Sequence, residues 1–364
     1  MMARSSAHIM IMAGGTGGHV FPALEVARVF QSHGARVSWL GSPRGIEQRL
    51  VPAAGLPLFT LPIEGVRGRG PLGVLKAPGL ITLAIWRALG VLRQSRPDLV
   101  IGFGGFASGP GGVAAYLMRT PVVIHEQNAV AGTANRLLAR MAKKIFTAFP
   151  DVFSEAQVVG NPVRAEIASL PEPQQRFANR KGPLRLLVLG GSLGARFINE
   201  LLPQTLARLP EAERPEVRHQ TGKGHGESTA ALYQQQGVKA EVDEFIDDMA
   251  QAYSWADFVI CRAGALTVSE LTQVGLGAIL IPFPQAIDDH QTHNARLLTN
   301  AGAGQVIPQT DLNAERLAKL LTEDFNTRDK LLQMAQSGRA LAMPDAAEHV
   351  VQDCLKMVGE GDSA

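Results

Sequence analysis

Two glycine-rich turns lie at matching places in the two halves of this chain, each between a short apolar run and a helical pattern. The first is IMAGGTGGHVFPAL (residues 11–24) and the second is LLVLGGSLGARFIN (residues 186–199). Backbone N–H groups at the start of a helix attract anions, and glycines let a bound group approach the backbone closely. The sequence therefore predicts two strand–loop–helix units, each able to bind an anionic group.

Short apolar runs alternate with helical patterns along the whole chain. The runs that predict strands are residues 9–13, 37–40, 99–103, 122–125, 144–149, 184–189, 217–221, 258–261 and 278–282. Helical periodicity is found in residues 22–33, 132–142, 195–209, 266–274 and 289–301, and a helix is also expected after the glycine-rich turn that follows residue 103. This alternation predicts an α/β fold in which helices cover parallel sheets.

The length of 364 residues indicates two domains, because one hydrophobic core rarely serves so long a chain. A Gly-Asn-Pro turn ends at residue 162, and the polar segment 170–183 precedes the next strand. We therefore predict domains 1–162 and 163–343, with residues 344–364 forming a helix that returns toward the N-terminal domain. Ligands bind beyond the carboxyl ends of parallel strands, so two such domains facing a cleft would suit two substrates.

The charge of the chain is unevenly distributed. Residues 1–162 carry 16 Lys and Arg against 7 Asp and Glu, so they are basic. Because the net charge of the whole chain is only +2, the C-terminal half must be acidic. We expect the N-terminal half to face an anionic partner. The two cysteines cannot form a disulfide framework, which favours a reducing cytoplasm, and the first apolar run is too short for a signal peptide.

Apolar and basic residues share one acid-free segment, residues 65–97. This pattern is typical of a surface that dips into an anionic bilayer, with Trp at the interface. A buried core helix would explain the leucines but not the missing acids. The predicted membrane patch consists of Arg69, Leu75, Lys76, Leu80, Trp86 and Arg87.

The first turn, residues 14–18, predicts a diphosphate site at a helix start. It lacks the G-x-G-x-x-G spacing of dinucleotide-binding proteins, and the chain has no G-x-x-x-x-G-K-[ST] motif, so NAD and P-loop chemistry are not favoured. A tight turn that only packs strand against helix is the alternative. His19 follows, where it could serve as a general base or bond to its own loop.

Further polar residues follow the predicted strands of the C-terminal half. Ser192 could bond a phosphate oxygen or cap its helix, and Glu270 could accept two ribose hydroxyls or form a capping box with Thr267. His290, Gln291 and Asn294 could face the same ligand or form one helix surface. No pattern demands a metal, so an arginine such as Arg164 would meet diphosphate charge.

At these residues the sequence resembles the MurG family of bacterial transferases, glycosyltransferase family 28. The motifs AGGTGGHVFPAL, IGFGGFASGPGG, HEQNAVAG, VVGNPVR, GGSLGARFIN, EFIDDMAQAY, RAGALTVSE and DHQTHNA occur in the family's order and span nearly the whole chain. The resemblance implies a glycosyltransferase B fold, with two Rossmann-like parallel-sheet domains facing a cleft. It also implies an inverting transfer of N-acetylglucosamine (GlcNAc) from UDP-GlcNAc to the C4 hydroxyl of N-acetylmuramic acid (MurNAc) in undecaprenyl-diphosphoryl-MurNAc-pentapeptide (lipid I), which makes lipid II for peptidoglycan.

The same resemblance implies no cofactor and no essential metal. The N-terminal domain would bind the acceptor and the anionic membrane surface, and the C-terminal domain would bind UDP-GlcNAc. The chain would lie peripherally on the cytoplasmic face of the inner membrane. Its partners would be UDP-GlcNAc, lipid I and other cell-wall synthesis proteins, but not nucleic acid.

Site residues follow from the family's motifs by position. The implied donor contacts are Thr16, Gly17, Gly18, Asn128, Arg164, Ser192, Ile246, Ala265, Leu266, Thr267, Val268, Ser269, Glu270 and Gln291. The acceptor diphosphate would bind Gly14, Gly15, Gly104 and Gly105. We expect His19 to be the catalytic base, with Glu126 as a second candidate. The chain departs from the family at Ala263, where relatives often have serine.

Two other functions are compatible with these patterns. A UDP-GlcNAc 2-epimerase would share the architecture but need no second substrate. A non-catalytic membrane-docking scaffold would retain the fold without binding the donor.

Overall fold

The protein, described here from a computed structural model, divides into two units. Unit 1 comprises Met1–Arg164 with Met343–Ala364, and unit 2 comprises Ala165–Ala342. The structure describes residues 6–62, 70–191 and 194–361, without the side chains of residues 70–77 and 287. The division falls two residues beyond the predicted junction, and the C-terminal tail belongs to unit 1.

Unit 1 is built on a seven-stranded parallel sheet with the order β3-β2-β1-β4-β5-β6-β7. Its strands are β1 (His8–Ala13), β2 (Arg36–Gly41), β3 (Leu58–Thr60), β4 (Leu99–Gly104), β5 (Val122–Glu126), β6 (Lys144–Thr147) and β7 (Gln157–Val158). Its first helices are α1 (Gly17–Ser32), α2 (Glu47–Ala53), α3 (Gly70–Ser95), α4 (Ser108–Leu117) and α5 (Thr133–Leu138). The predicted strand, loop and helix after residue 98 are thus confirmed.

Both faces of this sheet are buried, as expected for a parallel sheet with helices on each side. Ile9 and Ile11 of β1 lie in the core under α1, whereas Met10 and Met12 lie in the core under α3 and α4. This alternation follows from the two-residue period of a strand, in which successive side chains point to opposite faces.

Unit 2 repeats the arrangement with a six-stranded parallel sheet of order β10-β9-β8-β11-β12-β13. Its strands are β8 (Arg185–Leu189), β9 (Glu216–Gln220), β10 (Glu241–Asp243), β11 (Phe258–Cys261), β12 (Gly277–Leu280) and β13 (Gly304–Val306). Its helices are α6 (Ala165–Ala168), α7 (Pro173–Phe177), α8 (Arg196–Ala207), α9 (Gly226–Gln235), α10 (Met249–Trp255), α11 (Ala265–Val274), α12 (His290–Asn300), α13 (Ala314–Glu323) and α14 (Arg328–Arg339). Two parallel-sheet domains confirm the predicted fold class.

The last helix, α15 (Ala346–Gly361), packs against α1 of unit 1. Val350, Val351 and Cys354 are fully buried there and complete the core on the α1 face of the first sheet. Within the part of the chain that the structure describes, no helix has the length and hydrophobicity needed to cross a bilayer.

Candidate active site

In unit 1 the strand order reverses between β1 and β4, which are neighbours in the sheet. Connections from these two strands leave in opposite directions, and ligands of open α/β sheets bind in the crevice this creates. The glycine loop after β1 and the one after β4 both lie at this point. The structure thus brings together the two N-terminal glycine segments that the sequence predicted.

The two loops are packed backbone against backbone. Gly105 has a φ of +85°, and a Cβ there would come within 2.3 Å of the Gly14 carbonyl oxygen. Gly104, at φ +100°, faces the imidazole of His19, whose Cε1 would lie 3.0 Å from an added Cβ. Glycine is therefore required at both positions, by contact distance and by backbone conformation.

One N–H of the first loop, that of Gly15, already has a partner within unit 1. That N–H donates to Glu47 Oε2 (3.0 Å), and the other carboxylate oxygen accepts from the Ser42 N–H (3.0 Å) and hydroxyl (2.6 Å). Glu47 is completely buried, so it holds the loop from within. Thr16, exposed as the N-cap of α1, has no side-chain cap bond, and Gly17 and Gly18 begin the helix.

His19 does not bond to its own loop through its ring. Its Nδ1 lies 2.8 Å from Oε1 of Gln127, a buried residue that directly follows β5. The imidazole is half-buried beside Gly104, so it lies at the same crevice as the two glycine loops. This placement is compatible with the expected role of a base.

Glu126, the second candidate base, is occupied by structural hydrogen bonds. Its Oε1 accepts from the Asn128 N–H (3.0 Å) and side-chain amide (3.3 Å). Its Oε2 accepts from the Gly132 N–H (3.0 Å) and from Asn135 Nδ2 (2.9 Å). A buried carboxylate that accepts four hydrogen bonds holds the loop after β5 and is poorly placed to take a proton from a substrate.

Arg164 is the last residue of the first segment of unit 1 and lies against the first helix of that unit. Its guanidinium carbon is 5.6 Å from the centre of the Phe21 ring, a cation–π distance. Phe21 also contacts the first loop, since a Cβ on Gly17 would lie 2.9 Å from its ring. Phe21 therefore positions Arg164 near the N-terminus of α1.

Unit 2 has a corresponding crevice, because its strand order reverses between β8 and β11. The second glycine loop leaves β8 and the RAGALTVSE segment leaves β11, so both start from the same edge of adjacent strands. The predicted Ser192 lies outside the described residues. Gly191 and Gly194 beside it have φ of +77° and +78°.

A buried network supports this second loop. The Asn199 side chain on α8 donates to the Thr221 carbonyl (3.1 Å), and its oxygen pairs with Nε2 of His219 (3.0 Å). His219 Nδ1 pairs with the Tyr233 hydroxyl at 2.9 Å. Burial lowers the pKa of His219 to about 3, so this histidine is neutral and structural.

Glu270 is nearly buried on α11 and is not part of a capping box. The helix N-cap is Gly264, which makes no side-chain cap bond, and Thr267 lies beyond it in the first turn. Glu270 Oε2 instead accepts from the Tyr253 hydroxyl at 2.8 Å. Tyr253 on α10, completely buried, thus orients a carboxylate on the helix that follows β11.

Of the other predicted donor contacts in unit 2, most lie on α11. Ala265, Val268 and Ser269 are buried, and Leu266 and Thr267 are half-buried in the first turn. Ile246 is half-buried in the loop between β10 and α10.

The start of α12 follows two residues in an uncommon backbone conformation, Asp288 (φ +53°) and Asp289 (φ +50°). Gln291 Oε1 accepts from the Phe283 N–H (2.9 Å), and the side chain of buried Asn294 donates to the Ala263 carbonyl (3.2 Å). Asn294 therefore fixes α12 against the loop after β11. Residues other than glycine rarely adopt positive φ, and such backbone strain clusters at ligand sites.

The described part of the predicted membrane patch lies on α3. Ala84, Ala88 and Leu92 form the buried stripe of this helix at a spacing of four residues. Its outward face carries apolar side chains where polar ones are usual. The exposed residues there are Leu80, Ile81, Leu83, Trp86 and Arg87, with Trp86 69% exposed. Arg69 and the side chains of Leu75 and Lys76 lie outside the described residues.

No cluster of three or more potential metal ligands occurs in residues 6–62, 70–191 and 194–361. A cavity of about 640 Å³ in unit 2 is lined by Pro183 and Phe258, at the amino ends of β8 and β11. It therefore lies at the opposite edge of the sheet from the second glycine loop.

Two Rossmann-like units, each with a glycine loop at its reversal point, are the architecture of two-domain glycosyltransferases. The family model for the glycosyltransferase family 28 N-terminal domain matches residues 9–147, and that for the C-terminal domain matches residues 185–350. The chain therefore belongs to glycosyltransferase family 28 and is a glycosyltransferase.

Relatives with assigned names agree with this assignment. The chain is 58% identical to a UDP-N-acetylglucosamine–N-acetylmuramyl-(pentapeptide) pyrophosphoryl-undecaprenol N-acetylglucosamine transferase of Cellvibrio japonicus, over 96% of this chain and 98% of the relative. A Marinobacter nauticus protein of the same name is 53% identical, over 95% and 96%. The crystal structure of Acinetobacter baumannii MurG is 44% identical and superposes with a TM-score of 0.85, covering 96% of this chain and 99% of that one.

Proposed function

We propose that the chain transfers GlcNAc from UDP-GlcNAc to the C4 hydroxyl of the MurNAc sugar in lipid I. The observation that carries the proposal is His19 packed on the Gly104 turn, where a base and two glycine loops meet at one crevice. The substrates are inferred from the relatives given above, because the names of those proteins specify this donor sugar and this acceptor. Those names also favour transfer over 2-epimerisation.

In the proposed reaction the acceptor hydroxyl attacks the anomeric carbon from the face opposite UDP and forms a β1,4 bond. His19 accepts the hydroxyl proton as the new bond forms, and UDP departs with the electrons of the broken bond. Gly14, Gly104, Gly105 and the start of α4 would bind the acceptor diphosphate. Because the Gly15 N–H already donates to Glu47, we propose that Gly15 shapes the first loop and does not bind the diphosphate through its N–H.

For the donor we propose that unit 2 contributes most of the contacts. Glu270 would accept hydrogen bonds from the ribose hydroxyls, and the first turn of α11 would bind phosphate through its N–H groups. Ile246 would lie against the uracil, and Gln291 would reach the sugar. The remaining proposed contacts are Thr16, Gly17, Gly18, Asn128, Arg164 and Ser192.

The donor assignment is tested by calorimetric titration with UDP-GlcNAc and with its 2′,3′-dideoxyribose analogue. Glu270→Gln should weaken binding of UDP-GlcNAc about tenfold or more, because a charge-assisted hydrogen bond contributes about 1.5–3 kcal/mol. The same substitution should leave the analogue's affinity unchanged. An equal loss for both ligands would contradict the ribose contact, and no binding by the unaltered chain would favour the scaffold alternative.

We further propose that α3 docks on an anionic membrane surface, which would place the chain peripherally on the cytoplasmic face of the inner membrane. Leu80→Glu and Trp86→Glu should each reduce cosedimentation with vesicles that contain phosphatidylglycerol, because apolar contact and charge attraction are both weakened. Val158→Glu is the matched control, since Val158 is an exposed apolar residue on edge strand β7. Equal sedimentation of all variants would exclude docking through α3.

A further inference from the structure

A row of hydrogen-bonded side chains links His19 to the interior of unit 1. His19 Nδ1 lies 2.8 Å from Gln127 Oε1, and Gln127 Nε2 lies 3.0 Å from His125 Nδ1. His125 Nε2 lies 2.9 Å from the Gly160 carbonyl oxygen. His125 and Gln127 are completely buried, so water does not compete for these bonds.

The donor and acceptor in each pair follow from the backbone carbonyl at the inner end. A carbonyl oxygen can only accept, so His125 Nε2 carries the proton and donates to Gly160. Burial lowers the pKa of His125 to about 4, so the ring is neutral and its Nδ1 is an acceptor. Phe103 stacks on the ring at a centroid distance of 5.3 Å and fixes its plane.

The amide of Gln127 is held in one orientation by two acceptors. Its Nε2 donates to His125 Nδ1 and also to the His125 carbonyl oxygen, at 2.8 Å. Exchanging the amide oxygen and nitrogen would place an acceptor against both. The amide oxygen must therefore face His19, and His19 Nδ1 must carry the proton that this oxygen accepts.

The outer nitrogen of His19 is then the basic one. Nε2 carries a lone pair, and no described residue makes a hydrogen bond to it. A neutral imidazole in water prefers the opposite tautomer, with the proton on Nε2, so the row of side chains reverses the intrinsic preference.

We propose that Gln127 and His125 are positioning residues that hold His19 in the Nδ1–H tautomer and so present Nε2 to the acceptor hydroxyl. The catalytic consequence rests on the proposed function, in which His19 is the base. The tautomer itself does not, since it follows from hydrogen bonds within unit 1.

The tautomer is read by long-range ¹H–¹⁵N spectra of histidine-labelled protein, with His19→Ala to identify the His19 signals. In the unaltered chain we expect a pyrrole-type shift at Nδ1 and a pyridine-type shift at Nε2. Gln127→Met should convert His19 to the Nε2–H form and lower kcat by about 10²-fold or more, with KM for UDP-GlcNAc within twofold. Gln127→Glu keeps an oxygen acceptor for Nδ1–H, and its carboxyl, kept protonated by burial, donates its O–H to His125 in place of the amide N–H. It should therefore keep the tautomer and restore much of kcat.

His125→Phe retains the stack with Phe103 and the backbone carbonyl that holds Gln127, so its effect on kcat should be smaller than that of Gln127→Met. Thr147→Val is the matched control, because Thr147 is buried on the neighbouring strand β6 and lies outside the row. It should change neither the tautomer nor kcat.

An Nε2–H tautomer in the unaltered chain overturns the proposal. It is also overturned if Gln127→Met and Gln127→Glu lower kcat equally while the tautomer stays as in the unaltered chain, because the loss would then be structural. In a different outcome, the His19→Ala variant keeps near-native turnover while the unaltered chain shows the expected tautomer. That outcome refutes His19 as the base, and with it the catalytic consequence, while the hydrogen-bonded row stands.

Discussion

At the scale of single residues, the site depends on contacts between amino acids that are far apart in sequence. Glu47 bonds the glycine loop from 32 residues away, and Gln127 meets His19 from 108 residues away. The motifs predicted the loops and His19, because glycines before a helix pattern are a local signal. They could not predict the partners, since nothing in a single sequence marks which strand end will face which loop.

Gly105 lies where the two N-terminal glycine loops meet. Gly105→Ala should lower stability by about 1–3 kcal/mol and abolish turnover, since the residue would be strained at φ +85° and its Cβ would collide with the Gly14 carbonyl. Differential scanning calorimetry and a turnover assay measure the two effects. Gly55→Ala is the control, because Gly55 has φ +71° but no atom within 4 Å of an added Cβ. Equal effects of the two substitutions would show that the contact between the loops is unimportant.

At the scale of helices and strands, the interior strands were predictable and the edge strands were not. The nine predicted strands correspond to the interior strands of both sheets, where continuous apolar runs reflect burial on two faces. The four strands that were missed, β3, β7, β10 and β13, are the edge strands, each two or three residues long. An edge strand has one neighbour and little apolar surface, so its sequence resembles that of a loop.

The start of helix α1 was predicted wrongly, whereas the starts of α5, α8, α11 and α12 lie within one residue of the predicted ones. Helix α1 begins at Gly17, five residues before the predicted start at Pro22. Glycine has low intrinsic helix propensity, so its presence argues locally against a helix. Packing of the first turn against the loops overrides that preference.

Helix α15 completes the core on one face of the first sheet. Truncation after Ala342 should prevent unit 1 from folding, because burial of Val350, Val351 and Cys354 contributes roughly 1.5–3 kcal/mol for each side chain. Hydrogen exchange should show lost protection in β1–β6 and retained protection in unit 2. Truncation after Gly361 is the control. Native-like protection of β1 in the longer deletion would contradict the role assigned to α15.

At the scale of the whole molecule, both units contain a buried neutral histidine, and this makes stability depend on pH. The pKa of His125 is lowered to about 4 and that of His219 to about 3, in both cases mainly by burial. Below about pH 6.5 these two histidines bind protons in the unfolded chain but stay neutral in the native chain. The stability present above pH 6.5 should therefore be lost as the pH falls toward 4.

The loss should be on the order of 3 kcal/mol for each histidine by pH 4, since each pKa unit is about 1.4 kcal/mol. Urea unfolding between pH 7 and pH 4 measures it, with probes in each unit. His125→Phe should remove that histidine's share of the pH dependence and leave the share of His219. A free energy of unfolding that stays constant between pH 7 and pH 5 would contradict the assignment of neutral buried histidines.

Transfer of a sugar from a nucleotide donor to a lipid-linked acceptor is tested by incubation of the purified chain with UDP-[¹⁴C]GlcNAc and a lipid I analogue in the presence of EDTA. We predict a labelled β1,4-linked disaccharide lipid and release of one UDP for each sugar transferred, and no product without the acceptor. Appearance of UDP-ManNAc from the donor alone, or no labelled lipid at any acceptor concentration, would contradict the proposed transfer.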